Sequence, residues 1–325
     1  MGRVKSLGYG AYQIELVPIS EVYNATGYLI IGEEKTVLIE TGASRSNAAI
    51  LDALSQLEVS TGSIDAIIAT HIHLDHSGGA GVLMEQCPNA VMMVHEKGVP
   101  HLVDPERLIT GSRVVYGDTF DKYFDPVKAI AEKRVKPLLD GDQLDLGGGR
   151  QLAFLSSPGH ALHHMMVFDE VSEGIFTGDA AGIYYHSLEQ EFGAKVALPS
   201  TTPTQFDPEA MLTTLNHMLD LKPQRLYYTH YGMAEPAGEL LKSTKAWLSL
   251  FAEACVAFYR EHRSLEKLSH YLQEEVMKRL SAEGVTKKAR CLGYMTIDNQ
   301  INAQGLIAYV ERLERQKKKQ ELKNV

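Results

Sequence analysis

Seven side chains in this sequence have the type and placement to hold metal ions. Four of them fall in one run, "THIHLDHSGG" (70–79), where His71, His73, Asp75 and His76 lie within six residues and Gly78-Gly79 follow. One helix face cannot present them together, because residues five apart, such as His71 and His76, stand about 140° apart around a helix of 3.6 residues per turn. The glycine pair also disfavours a helix running through the motif and reads as letting the chain turn sharply from the ligand loop into the next helix. The preceding apolar segment "SIDAIIAT" (63–70) reads as a buried strand. The histidines therefore belong to a loop at a strand's C-terminal end, the place where open α/β sheets bind ligands.

The same punctuation recurs three times. "LAFLSSPGH" ends a strand-like stretch at His160, "GIFTGD" at Asp179 and "RLYYTH" at His230. One polar residue after a strand is unremarkable, but four apolar stretches that each deliver a His or Asp are hard to explain as surface decoration. Imidazole and carboxylate suit zinc, iron or manganese, and the absence of thiolate disfavours a soft, closed structural site. Seven ligands are too many for one tetrahedral ion and about right for two that share a bridging carboxylate. Two ions roughly 3.5–4 Å apart can hold a hydroxide between them and polarise an electrophile.

The elements that must position these residues alternate between strand and helix. "AYQIELVPI" (11–19), "TGYLIIG" (26–32) and "KTVLIETG" (35–42) are rich in β-formers and broken by Gly, Pro and charged turns. A helix is expected over about 45–58, from the spacing of Ile50, Leu51, Leu54 and Leu57. "GAGVLMEQC" (79–87) reads as a helix and "AVMMVH" (90–95) as a strand, so the fold class is α/β. Residues 100–136 show no clean period and read as an insertion with short helices that could roof a cleft. Strands resume in "DQLDLGGGRQLAFLSS" (142–157), "HMMVFDE" (164–170) and "EGIFTGD" (173–179), and 180–205 is irregular. A helix starts at "FDPEAMLTTLNHMLDL", with Asp207 as N-cap and Pro208 in the first turn. From about 236 the chain is mostly helical, with Leu265, Leu268, Leu272, Val276 and Leu280 on one stripe after the capping residue Ser264. This divides the chain into a catalytic domain, 1–235, and a helical C-terminal region, 236–325.

Composition narrows the class. The 325 residues are 44% hydrophobic and 22% charged with a net charge of -9, which fits a globular protein and argues against a broad nucleic-acid footprint. The one basic cluster, "RQKKKQELK" (315–323), reads as a solvated frayed helix end or tail. Cys87, Cys255 and Cys291 form no CxxC pair and suggest no disulfide framework, which fits a reducing cytoplasm. Neither a secretory signal nor a run of about 18 apolar residues is found, so no membrane span is expected. Cys87 reads as a buried structural thiol.

The ordered set HxHxDH, PGH, TGD and a last His resembles the metallo-β-lactamase superfamily over about residues 11–232, and "NATGYLI" and "VLIETG" are similar to its early strands. The resemblance implies a four-layer αβ/βα sandwich with metals at its edge. It implies that His71, His73 and His160 hold one ion, that Asp75, His76 and His230 hold the other, and that Asp179 bridges them. It also makes Asp75 both ligand and general base. The family usually has Asp where this chain has Glu40, a position that supports the site from behind its ligands. Asp179 argues against antibiotic hydrolysis, since many true β-lactamases carry Cys there. His73 argues against the flavodiiron oxygen reductases, which a Glu would have suggested. His163 and His164 read as packing or support, sent to opposite faces by strand geometry. Tyr184 and Tyr185 follow Asp179, as a substrate-contacting tyrosine does in some lactonases of this superfamily. A phenol there could bind an oxyanion, and core packing is equally compatible.

These readings converge on a cytoplasmic hydrolase with two divalent metal ions, zinc first and iron or manganese as alternatives. It would use a metal-bound hydroxide on a thioester, ester or lactone, as glyoxalase II does. The alternatives are phosphodiester hydrolysis at the same site, persulfide oxygenation at a single iron, and a non-catalytic binding protein that keeps the site. The expected partner is a small-molecule substrate, with no nucleic acid and no membrane, and the helical C-terminus offers a surface for a homodimer.

Overall fold

The computed structural model describes residues 4–16, 25–286, 289 and 291–323. The chain forms two compact units. The first takes the chain up to Ser157, then His163–Gly178 and Pro223–Pro236; the second takes Pro158–Leu162, Asp179–Lys222 and the chain from Ala237 onward.

The first unit holds two sheets. One runs in the order β1 (Val4–Gly8), β2 (Ala11–Glu15), β3 (Thr26–Ile31), β4 (Thr36–Ile39), β5 (Ile64–Ile68), β6 (Val91–His95) and β7 (Val135–Leu138). Pairing is antiparallel from β1 to β4 and parallel from β4 to β7. The β1–β2 turn is Tyr9-Gly10, both at positive φ, the twist a two-residue hairpin loop requires. The other sheet contains β8 (Gln143–Asp145), β9 (Gln151–Ser156), β10 (Met165–Asp169), β11 (Gly174–Gly178), β14 (Arg225–Tyr228) and β15 (Gly232–Ala234). Within it only β11 and β14 are parallel neighbours. The strands expected at 11–19, 26–32, 35–42, 63–70, 90–95, 164–170, 173–179 and 224–230 are all present within these spans. Of the first, the part from Val17 on lies outside the described residues.

Side-chain alternation builds two cores in this unit. Tyr28 and Ile30 of β3 and Val37 and Ile39 of β4 face Phe154 and Phe176 of the other sheet. Leu29 and Leu38, one residue out of phase, face the helical side. There they meet Ile50 and Leu54 of α1 (Asn47–Gln56) and Leu83 of α3 (Ala80–Gln86). The insertion forms short helices, α4 (Val99–Val103), α5 (Glu106–Tyr116) and α6 (Phe120–Phe124), as its broken pattern suggested.

The second unit is mainly helical. The strands β12 (Ile183–Tyr184) and β13 (Ala197–Leu198) pair as a small hairpin flanking α7 (His186–Phe192). The helix α8 (Pro208–Asp220) is capped by the Asp207 carboxylate, which accepts the Ala210 N–H at 3.0 Å. Next come α9 (Ala237–Leu250), one π-turn at Phe251–Cys255, α10 (Val256–His262), α11 (Leu265–Ala282) and α12 (Leu292–Lys323). Ser264 caps α11 as expected, and Leu268, Leu272, Val276 and Leu280 are buried, while Leu265 in the first turn is exposed. The basic cluster is exposed but remains helical to Lys323. No helix among the described residues is long and apolar enough to cross a membrane.

Candidate metal centre

Parallel pairing decides what meets what in the first unit. β4 and β5 run side by side with Ile39 opposite Ile68, and the Glu40 N–H donates to Ile68 O at 2.8 Å. Glu40 therefore emerges beside the loop that follows β5. Its Oε1 accepts the Thr70 N–H at 2.8 Å, and its Oε2 lies 2.6 Å from His76 Nδ1. A carboxylate can only accept, so Nδ1 carries the proton and the Nε2 lone pair faces outward. Nε2 of His76 lies 3.6 Å from Asp75 Oδ2, and Nε2 of His230 lies at the same 3.6 Å.

The loop is not irregular throughout. His71 lies in a bend and His73 is extended, and then Leu74–Ser77 makes one helical turn, α2, that carries Asp75 and His76. Gly78 and Gly79 have ordinary right-handed angles, so a sharp turn is not why they are glycine. A Cβ at Gly78 would sit 2.4 Å from Leu74 O, and one at Gly79 would sit 2.9 Å from Ala43 O. Close backbone approach sets both positions. The insertion contributes here: Phe120 and Phe124 pack against Leu74 and Ala43, bracing the turn between His73 and Asp75.

His71 is buried, with Nδ1 3.1 Å from Thr70 Oγ1 and Nε2 2.8 Å from His73 Nδ1. His163 and His164 precede β10 in a turn, so strand alternation does not govern them. Both rings lie against His71, at 6.2 and 4.8 Å between centroids. His164 is held by Ser157 Oγ at 2.7 Å. A Cβ on Gly178 would reach 2.6 Å from His164 Nε2 and 2.4 Å from Thr70 Oγ1, so the small residue ending β11 makes room for the groups that flank His71.

His160 and Asp179 belong to the second unit. His160 follows β9 by four residues and Asp179 follows β11 directly. His160 Nδ1 donates to Ser200 O at 2.8 Å, which turns Nε2 toward Asp179 Oδ2 at 3.5 Å. Ser200 Oγ donates to the same Asp179 oxygen at 3.0 Å. Tyr184 and Tyr185 are fully buried, with hydroxyls 2.5 Å from Glu189 Oε2 and Asp298 Oδ2. Burial, and then the Glu189 carboxylate, push the Tyr184 phenol well above its usual range.

The donor set fits metal ions. It is nitrogen and carboxylate oxygen, and the ligand atoms of Asp75, His76 and His230 all lie within 4.8 Å of one another. Two nitrogen ligands of a tetrahedral zinc stand about 3.3 Å apart, given bonds of about 2.0–2.1 Å. The 3.5–3.6 Å His–Asp separations in each unit are close to that. The profile of the metallo-beta-lactamase superfamily matches residues 21–230, well over half the chain. The chain belongs to that superfamily.

A metallo-beta-lactamase fold-containing protein of Sulfurisphaera tokodaii is 31% identical over 70% of this chain and 80% of its own. A metallo-beta-lactamase family protein of Thermus thermophilus superposes with a TM-score of 0.68 at 20% identity, covering 96% of this chain and 95% of that one. The fold is the superfamily's αβ/βα sandwich with a helical C-terminal extension. A second kind of relative is an anaerobic nitric oxide reductase flavorubredoxin of Vibrio vulnificus, 31% identical over 48% of this chain. That match covers 27% of the flavorubredoxin, so the chain spans about a quarter of its length.

Glu40 in place of the superfamily's usual Asp keeps its contact with His76, and does so from a left-handed backbone at φ 67. Ser200 was invisible in the sequence. It lies in the stretch that reads as irregular, and a lone Ser before two Thr residues gives no periodic signal.

Proposed function

We propose that this chain is a metal-dependent hydrolase in which His71, His73, Asp75, His76, His160, Asp179 and His230 hold two divalent ions, zinc first. The observation that carries this is the convergence of Asp75, His76 and His230 within 4.8 Å, with the His76 proton committed to Glu40. When bound, the ions supply a water acidic enough to ionise near neutral pH and polarise a carbonyl. The chain's own residues do the rest. Glu40 and Ser200 O fix which nitrogen of His76 and His160 carries the proton. Asp75, part-exposed at 14%, can take a proton from an attacking water as general base. Thioester, ester or lactone bonds of a small-molecule substrate are the expected target.

Tyr184 and Tyr185 join the chemistry only if a phenol leaves its carboxylate to donate to a substrate oxygen. Lower turnover in Tyr184→Phe or Tyr185→Phe at unchanged metal content is the signature of that role, and unchanged kinetics in both removes them from the site.

The flavorubredoxin likeness supports a second reading, a pair of irons serving an oxidoreductase. His73 weighs against it, because a Glu there is what suggests the flavodiiron reductases. Elemental analysis of protein purified without chelator, beside a panel of thioester, lactone and bis-p-nitrophenyl phosphate substrates and an oxygen-uptake assay, separates the readings. Two zinc ions with carbonyl-ester turnover are expected. No metal above trace sinks both readings, and two irons with oxygen uptake moves the assignment to the second.

A further inference from the structure

The long C-terminal helix α12 carries polar groups where a packed helix normally buries apolar ones. Asp298, Asn302, Gly305, Tyr309 and Arg312, spaced four, three, four and three, form one stripe. Each meets a different part of the second unit. Asp298 accepts from Tyr185, Tyr309 donates to Glu209 at 2.9 Å, and Arg312 donates to Phe206 O at 2.6 Å. Asn302, 3% exposed, takes Thr201: its Oδ1 accepts the Thr201 N–H at 2.8 Å, and its main-chain oxygen accepts the Thr201 hydroxyl at 2.8 Å. A Cβ on Gly305 would lie 2.8 Å from the Thr201 carbonyl, so the glycine lets the helix come this close.

Thr201 is the middle of a three-residue strap whose two ends hold the candidate ligands. Ser200 accepts from His160 Nδ1 and donates to Asp179, and Thr202 Oγ1 donates to His160 O at 2.8 Å. The ends grip the ligands, and the middle is gripped by the helix. A one-residue slip of this strap would exchange the two roles. A buried amide is costly unless its hydrogen bonds are made, and here they are made to the residue that sets the strap's register.

We infer that Asn302 is a positioning residue for the metal centre, acting through Thr201 and Ser200 to hold His160 and Asp179 in place, so that the C-terminal helix tunes metal affinity. The inference rests on the reading of His160 and Asp179 as ligands. Zinc affinity is to be measured by competition with a chromophoric chelator for the full-length wild type and for Asn302→Ala, Thr201→Val, Thr201→Ser and Tyr309→Phe. Circular dichroism establishes that each variant is folded at the assay temperature. Asn302→Ala and Thr201→Val weaken zinc binding about fivefold, the size of one neutral hydrogen bond lost behind the ligands. Thr201→Ser, which keeps the hydroxyl, restores wild-type affinity. Tyr309→Phe loosens the same helix without touching the strap and leaves the affinity unchanged. Folded Asn302→Ala and Thr201→Val with wild-type affinity overturn the inference, as does a Tyr309→Phe loss of equal size. If Asn302→Ala does not fold, Thr201→Val decides. A wild type that takes up two zinc ions while the variants match it defeats the inference alone. A wild type that takes up none defeats the reading of the site, and the inference falls with it.

Discussion

His76 is held by a carboxylate, and His160 is held by a carbonyl. In the first unit Glu40 places a carboxylate oxygen 2.6 Å from His76 Nδ1 and takes the Thr70 N–H with its other oxygen. In the second unit the supports are neutral: Ser200 O for His160 and Ser200 Oγ for Asp179, backed by the Asn302 amide. Charge-assisted hydrogen bonds are about twice as strong as neutral ones. A charged support also raises the basicity of the imidazole it holds. His76 is thus held strongly by one charged side chain, and the second unit's candidate ligands by several neutral groups.

Backbone strain does not follow the same division, since Thr204 of the second unit also lies in the left-handed region, at φ 87. Glu40 is a non-glycine residue in the left-handed region, at φ 67. That conformation costs about 1–2 kcal/mol and persists because both carboxylate oxygens are engaged. In the second unit the corresponding turn is released by a glycine: Gly159, at φ 130, precedes His160.

Removing the charged support should produce the largest effect. Glu40→Ala strands the Thr70 N–H and the His76 Nδ1–H in a site where both residues are about 1% exposed or less. Each stranded buried donor costs about 1–3 kcal/mol, so the metal-stripped protein should lose about 2–5 kcal/mol in urea unfolding. Zinc affinity should fall about a hundredfold. Glu40→Gln keeps an acceptor for Thr70 but replaces charge with an amide, and should fall between Glu40→Ala and wild type. If Glu40→Gln binds zinc as wild type does, charge is not what distinguishes the two supports.

Ser200→Ala is the matched test on the neutral side, with a smaller expected effect. The carbonyl that accepts from His160 survives, and only the hydroxyl bond to Asp179 is lost. A neutral hydroxyl on a carboxylate is worth about 1.5 kcal/mol net, or roughly tenfold in zinc affinity. A loss equal to that of Glu40→Ala, measured in the same competition assay, would erase the asymmetry.

The asymmetry also explains what the sequence could reveal. The run 70–79 was legible because consecutive residues at a strand end must land together, whatever the rest of the chain does. His160, Asp179 and His230 were legible because each follows an apolar strand. Glu40 was legible only through the resemblance of "VLIETG" to an early strand of the superfamily. Ser200, Thr201 and Asn302 were not, because a hydroxyl or amide finds its partner by tertiary approach rather than by period. Thr201 and Asn302 are 101 residues apart. The role of Gly78 and Gly79 was misjudged for a related reason, since the neighbours that exclude a Cβ come from packing, Ala43 above all. His163 and His164 were assigned a strand's alternation, but the strand begins one residue later.

Two buried thiols, one in each unit, offer the finest test of the contrast. Burial raises the Cys87 thiol, but Arg134 beside it pulls it back down. Burial pushes the Cys255 thiol up to about 12, the Glu275 carboxylate adds to the shift, and Arg279 opposes it only in part. A thiol whose folded value is raised contributes stability that is fully present below its unfolded value, about 8.5. That stability is lost as pH climbs through the folded value, because the unfolded chain ionises first. Wild-type stability should therefore decline between about pH 8.5 and 12. Cys255→Ala should flatten the decline measured by urea midpoints at pH 8, 9 and 10, and Cys87→Ala should flatten it less. Slopes rather than absolute midpoints are compared, so the cavity left by either alanine cancels. Equal slopes in the two variants would mean that the Arg134 cation does not offset burial in the first unit.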